Sequence, residues 1–229
     1  MEYLHNGYTL ELCPGAFPLS TDSIALGGFA KLPRQAKVLD LGSGCGTLGL
    51  LLCANDPGCT VTGIEVDENA HNTALHNIQA NALTSRLSSI CADLKHIHTI
   101  LTPGSFDCCV SNPPYFTAGP TSKLHPAARH ETLCTLDALF AAAAWAVRFG
   151  GDFFLVHKPE RLSQLCACAT NHKLEPKRLL LLRHREGDPI SLVLLQCRKG
   201  AKPGLTIEEE CLQTAGGEPS DYYRRLYHI

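Results

Sequence analysis

Apolar residues in this chain fall into short compact runs that alternate with longer, helically spaced ones. Residues 36–41 form a compact apolar run, as a strand buried on both faces requires. Residues 61–66, 87–92, 106–111 and 152–157 repeat that pattern. The segments between them have a different period. Residues 48–54 are continuously apolar and predict a helix, and residues 67–82 place Ala70, Ala74, Leu75 and Ile78 on one helical side. Residues 136–147 predict an alanine-rich helix closed by Gly150 and Gly151. A further helix follows Pro159, a residue suited to a first turn. Strand and helix in alternation predict an α/β fold with a doubly wound, mostly parallel sheet.

The last two apolar runs, 179–182 and 190–197, leave no room between them for a crossover helix. They are expected to pair as an antiparallel hairpin that completes a sheet of seven strands. From Lys199 onward the chain is rich in Gly, Pro and Glu and predicts loop with short elements. Three parts follow: an N-terminal segment 1–35, an α/β domain 36–198 and a C-terminal tail 199–229.

Composition narrows the class. Apolar residues at 45% and charged residues at 18% suit a folded domain. A formal net charge of −2 excludes a polycation. Residues 1–147 are net acidic and residues 148–229 net basic. The basic third suits either a phosphate backbone or a plain solvated surface. The 12 cysteines form no Cys-x-x-Cys pair and suit a reducing cytoplasm. His96 and His98 stand without a ligand cluster, so no metal is expected. No signal peptide and no apolar run of about 18 residues is present, so a cytoplasmic chain without a membrane partner is expected. Oligomeric state is not legible.

Between the first strand and the first helix of the domain lie Asp40, Leu41, Gly42, Ser43, Gly44, Cys45 and Gly46. Glycines at such a junction let the backbone turn sharply and let a ligand approach the helix N-terminus. The segment from Gly44 to Gly49 also fits the dinucleotide pattern G-x-G-x-x-G, with Glu65 about 20 residues on. Asp40 separates the two readings. Its carboxylate suits the ammonium of a methionine moiety and opposes a pyrophosphate, so S-adenosylmethionine is favoured over NAD. Glu65, ending the second strand, can accept both ribose hydroxyls. Asp93, followed by Leu94 after the third strand, can accept from an adenine amino group.

Ser111, Asn112, Pro113, Pro114, Tyr115 and Phe116 follow the fourth strand. Carboxyl ends of strands are where open α/β sheets bind ligands. Two prolines fix φ and remove two backbone donors, and Asn112 is pushed toward an extended conformation. What remains is a stiff loop offering two acceptors, the Asn112 side-chain oxygen and the Pro113 carbonyl. A planar amine or amide nitrogen is a poor nucleophile because its lone pair is delocalised. Two acceptors gripping its N–H groups aim that lone pair and stabilise the charge developing in the transition state. Tyr115 is suited to stack on a planar substrate, worth about 1–3 kcal/mol for a base.

Taken together, the glycine segment 38–46, the segment Gly63 to Asp67 and the Asn-Pro-Pro-Tyr segment 112–115 resemble motifs of class I amino-methyltransferases, which have a Rossmann-like fold. The segments 17–22, 128–131, 133–136 and 157–162 narrow this to a resemblance to the tRNA1(Val) adenine-37 N6-methyltransferase family, covering the chain to about Gly204. The resemblance implies a flipped adenine from a tRNA anticodon loop held at Asn112, Pro113, Pro114 and Tyr115. It implies S-adenosylmethionine on Asp40, Gly42, Gly44, Gly46, Glu65, Asp93 and Leu94, with Asn112 alongside. Thr21 and Asp22 are expected to close over the methionine end. Phe116, Arg129 and His130 are candidate substrate contacts, although a salt bridge is an equal reading for Arg129 and His130. The end of the tail, 221–229, either touches RNA or packs on the sheet edge.

Three rivals use parts of the same pattern. A release-factor glutamine methyltransferase needs a helical domain before the glycine loop, and about 35 residues leave no room for one. A DNA adenine methyltransferase usually needs an added recognition domain, and none is visible. A cofactor-binding module without activity is disfavoured by the intact Asn112 and Tyr115.

Overall fold

The chain opens on a two-stranded antiparallel ribbon, β1 (Glu2–Tyr3) and β2 (Thr9–Leu10), followed by helix α1 (Thr21–Phe29). This computed structural model describes residues 1–16, 18–114 and 135–229. The alternating section then runs β3 (Lys37–Leu41), α2 (Thr47–Asn55), β4 (Thr60–Glu65), α3 (Glu68–Ala80), β5 (Leu87–Cys91), α4 (Ile97–Ile100) and β6 (Phe106–Ser111). After it come α5 (Leu136–Ala146), β7 (Val147–His157), α6 (Leu162–Asn171), β8 (Leu174–Arg185), β9 (Ile190–Lys199), β10 (Thr206–Gln213) and α7 (Asp221–Tyr227).

Strands β3 to β10 form one sheet in the order β10-β8-β9-β7-β6-β3-β4-β5. Neighbours pair in parallel from β7 through β6 and β3 to β4 and β5. Strand β9 runs antiparallel to both β7 and β8, so the expected closing hairpin is present. The chain winds outward from β3 through β4 to β5, then returns to the other side of β3 with β6. The carboxyl ends of β3 and β6 therefore flank a topological switch point, where such sheets bind ligands.

Each strand contributes alternate residues to two cores. Val38, Val61, Cys108, Val110, Phe154 and Val156 pack on one face beneath α1, α2 and α3. Leu39, Leu41, Ile64, Cys109, Phe153 and Leu155 pack on the other with Leu139, Phe140 and Ala143 of α5. Burial on both faces is why these strands read as continuous apolar runs.

The sheet has eight strands, not seven, because part of the tail is strand. Strand β10 lies parallel to β8 at the edge. Its Glu208, Glu209 and Glu210 are poor strand formers and resemble loop composition. Arg178, Arg183 and Arg225 each pair with one of them, at 3.0, 3.2 and 3.1 Å. Helix α7 then packs Leu226 into the core against α1, where a Cβ on Gly28 would come within 2.7 Å of it. The end of the tail, 221–227, thus packs beside α1 at the sheet edge.

Helix α1 was not legible as a periodic segment, because Gly27 and Gly28 interrupt its apolar side. Those glycines let it lie close to its neighbours. A Cβ on Gly27 would stand 3.4 Å from Leu51 of α2. Ser20 caps the helix, accepting from the Ser23 backbone N–H at 3.4 Å. Among the described residues, no helix is long and apolar enough to cross a membrane.

Candidate active site

The loop after β3 is built by its neighbours as much as by its glycines. The backbone N–H groups of Gly42 and Ser43 both donate to the Ile64 carbonyl of β4, at 3.0 Å each. Gly42 and Gly44 adopt φ of 76° and 53°, and nothing lies within 4 Å of the position a Cβ would take at either. That left-handed backbone favours glycine, and the open space is room for a ligand to approach the main chain. Gly46, at φ 86°, starts α2 and rests against Ala74 of α3.

Asp40 lies at the centre of this arrangement. It is 1% exposed, and neither carboxylate oxygen has a hydrogen-bond partner among the described residues. Burial, followed by repulsion from Glu65, pushes its pKa up to about 8. A buried carboxylate without donors is costly to keep charged. It calls for a cation, and the ammonium of an amino-acid moiety fits.

Glu65 is nearly buried at the end of β4 and grips the loop. Its Oε2 accepts from the Gly44 N–H and its Oε1 from the Asp67 N–H, at 2.8 Å each. Each oxygen keeps a further lone pair for a diol. Asp93 caps the turn after β5, accepting from the Lys95 N–H at 2.9 Å. The Leu94 side chain is buried in the core beneath α5, which leaves its backbone for any ligand contact.

Across the switch point, Ser111 closes β6 and is fully buried. Its hydroxyl donates to the Leu41 carbonyl at 2.7 Å, tying the two strand ends together. Asn112 is half-buried and Pro113 buried. The Asn112 Nδ2 donates to the Ser23 hydroxyl of α1 at 2.9 Å. Thr21 and Asp22 occupy the first turn of the same helix, and the Thr21 and Tyr227 hydroxyls are 3.4 Å apart. Helix α1 therefore brings the N-terminal segment to Asn112. Tyr115, Phe116, Arg129 and His130 lie outside the described residues.

Four supporting residues were not singled out from sequence. Ser23 and Ser111 fix the Asn-Pro-Pro segment, and Asn77 on α3 and Asn81 just past its end fix the N-terminal segment. Asn77 Nδ2 donates to the Glu11 and Cys45 carbonyls, and its Oδ1 accepts from the Glu11 N–H, all at 2.9 Å. Asn81, one turn later, accepts from the Thr9 N–H and donates to the Thr9 carbonyl, at 2.8 Å each. Their i, i+4 spacing was the available signal.

His157 is fully buried at the end of β7, and burial followed by Arg161 pushes its pKa down to about 4, so it is neutral near pH 7. Among the described residues, no cluster of His, Cys, Asp and Glu has the arrangement of a metal site.

The family model for the methyltransferase small domain matches residues 25–165, and the chain belongs to that family. Within it the chain is a member of the group typified by tRNA1(Val) (adenine(37)-N6)-methyltransferases. It is 34% identical to the one from Shewanella halifaxensis over 74% of this chain and 70% of that protein. It is 32% identical to the one from Tolumonas auensis, over 86% of this chain and 83% of that protein. Among solved structures, a protein described as a predicted O-methyltransferase from Agrobacterium tumefaciens superimposes with a TM-score of 0.76 at 19% identity. That match covers 91% of this chain and 96% of that one, and it bears on the fold alone.

Proposed function

We propose that this methyltransferase uses S-adenosylmethionine to methylate the exocyclic N6 of an adenine in tRNA, most directly an anticodon-loop adenine. One observation carries the reading. The unpartnered Asp40 carboxylate beneath an open glycine loop faces the switch point from one strand end, and Asn112 faces it from the neighbouring one. The first suits a cationic amino-acid cofactor, and the second suits a planar amine. The named relatives supply the nucleic-acid part of the proposal.

In this reading Asp40 holds the cofactor ammonium, the N–H groups and open faces of Gly42, Gly44 and Gly46 receive the methionine moiety, and Glu65 takes the ribose. Asp93 and the Leu94 backbone bound the adenine end. The 1–35 segment, through Thr21 and Asp22, closes over the methionine end. When bound, the cofactor supplies an electrophilic sulfonium methyl. Asn112 Oδ1 and the Pro113 carbonyl accept from the two amino N–H groups and direct the nitrogen lone pair at that methyl. Transfer of that methyl would form an N–C bond and leave the electron pair of the broken S–C bond on sulfur. The alkylated nitrogen then loses one proton to water, so no strong base is required. Tyr115 stacks on the flipped base, with Phe116, Arg129 and His130 beside the RNA. The reducing cytoplasm is the matching compartment.

The test is incubation with methyl-labelled S-adenosylmethionine and separate pools of tRNA, rRNA, DNA and protein, followed by hydrolysis of the labelled pool. Label recovered as N6-methyladenosine from tRNA is the expected result. Label only in protein, as a methylated amide, or only in DNA overturns it.

A further inference from the structure

The Asn112 amide has two chemically different ends, and only one of them can accept from a substrate amine. Its plane must also stand where the amine arrives. The Asn112 backbone is held by the β6 end and the following proline, but those constraints leave the side-chain torsions free. One described contact restrains the amide. Its Nδ2 donates at 2.9 Å to the Ser23 hydroxyl, which comes from a helix 89 positions earlier in the chain.

We propose that Ser23 is the positioning residue for Asn112: its hydroxyl holds the nitrogen end of the amide and thereby presents Oδ1 to the incoming amine. This rests on the methyl-transfer reading given above. Three features make Ser23 suited to the task. It is 7% exposed, so water competes little for its hydroxyl. It sits in the first turn of α1, where the Ser20 cap fixes the backbone. Gly27 seats that helix closely against Leu51 of α2, which follows the glycine loop. The hydroxyl is thus anchored to the body of the domain rather than to a mobile segment.

A second consequence links the N-terminal segment to chemistry. Thr21 and Asp22 are expected at the cofactor, two and one residues before Ser23. The helix that borders the cofactor is then the helix that orients the amide, so cofactor contact and amide alignment share one packed element.

The experiment compares wild type, Ser23→Ala, Ser23→Thr and Asn112→Ala with S-adenosylmethionine and tRNA. Single-turnover rate, KM for tRNA, cofactor affinity by calorimetry and melting temperature are measured for each. For Ser23→Ala the expected result is a rate lower by about ten-fold, within the range that misplacing a reacting group costs. Its KM, cofactor affinity and melting temperature stay near wild type. Ser23→Thr, which keeps the hydroxyl, recovers most of the rate. An unchanged rate in Ser23→Ala overturns the proposal, as does a loss that tracks cofactor affinity or melting temperature. A normally folded Ser23→Thr as slow as Ser23→Ala also counts against it. Failure of the underlying reading has a different signature: wild type transfers no methyl to tRNA, or Asn112→Ala is fully active.

Discussion

The two strand ends that meet at the switch point solve opposite problems. At the end of β3 the chain supplies a buried carboxyl, Asp40, with no hydrogen-bond partner among the described residues, and beyond it a backbone with open space at Gly42 and Gly44. After β6 it supplies a neutral amide that is already engaged, with Asn112 on Ser23 and Ser111 on Leu41. A cationic ligand is favoured by a buried carboxyl that it can hold ionised, because burial makes that pairing strong. A neutral amine is recognised by placement, because a hydrogen bond counts only when its geometry is right. On the proposed reading, the difference teaches that binding and reaction are divided between neighbouring strands, so each can be impaired without the other.

The largest expected effect tests the placement side. Asn112→Ala removes the acceptor aimed at the amine. Turnover should fall by roughly 10²- to 10³-fold, the range for losing one transition-state hydrogen-bond partner. A steady-state rate assay checks this, and unchanged turnover breaks the assignment.

A smaller effect tests the charge side. The Asp40 pKa is raised from 3.8 to about 8, so without a cation the folded chain keeps a proton there that the unfolded chain has lost. Between those limits, raising the pH removes stability contributed by this group. An ammonium bound against Asp40 replaces that proton. At pH 7, cofactor binding should therefore release about one proton, read by calorimetry in buffers of different ionisation enthalpy. Asp40→Asn should abolish the release. Equal heats in all buffers for wild type would place the ammonium elsewhere.

The smallest effect concerns the support the two ends share. Asn77 is 2% exposed and ties the Glu11 backbone to the Cys45 carbonyl in the glycine loop. Asn77→Ala leaves these groups without that partner and should cost about 1–3 kcal/mol of stability, measured by urea unfolding. Cofactor affinity should weaken with it, while turnover at saturation changes little.

The sequence carried the charge side better than the placement side, for a physical reason. Asp40 and its glycines lie within seven consecutive residues, and the strand before them is buried on both faces, so pattern and chemistry coincide locally. Asn112 and its prolines were equally visible, but Ser23 is 89 positions away. Nothing local to it signals a partner. Helix α1 was hidden because Gly27 and Gly28, needed for close packing on Leu51 and Leu226, have low helix propensity. Strand β10 was hidden because its glutamates read as loop, and the arginines on β8 and α7 that pair with them lie far away in sequence. In each case the missing information is a long-range contact.

The division of labour itself is tested most directly by one paired titration: cofactor affinity, by calorimetry at constant pH, for Asp40→Ala and Asn112→Ala. Losing a charged hydrogen bond of about 1.5–3 kcal/mol predicts weakening by roughly 10- to 100-fold in Asp40→Ala, with Asn112→Ala within a few-fold of wild type. Wild-type affinity in Asp40→Ala, or an equal loss in both variants, would contradict the account.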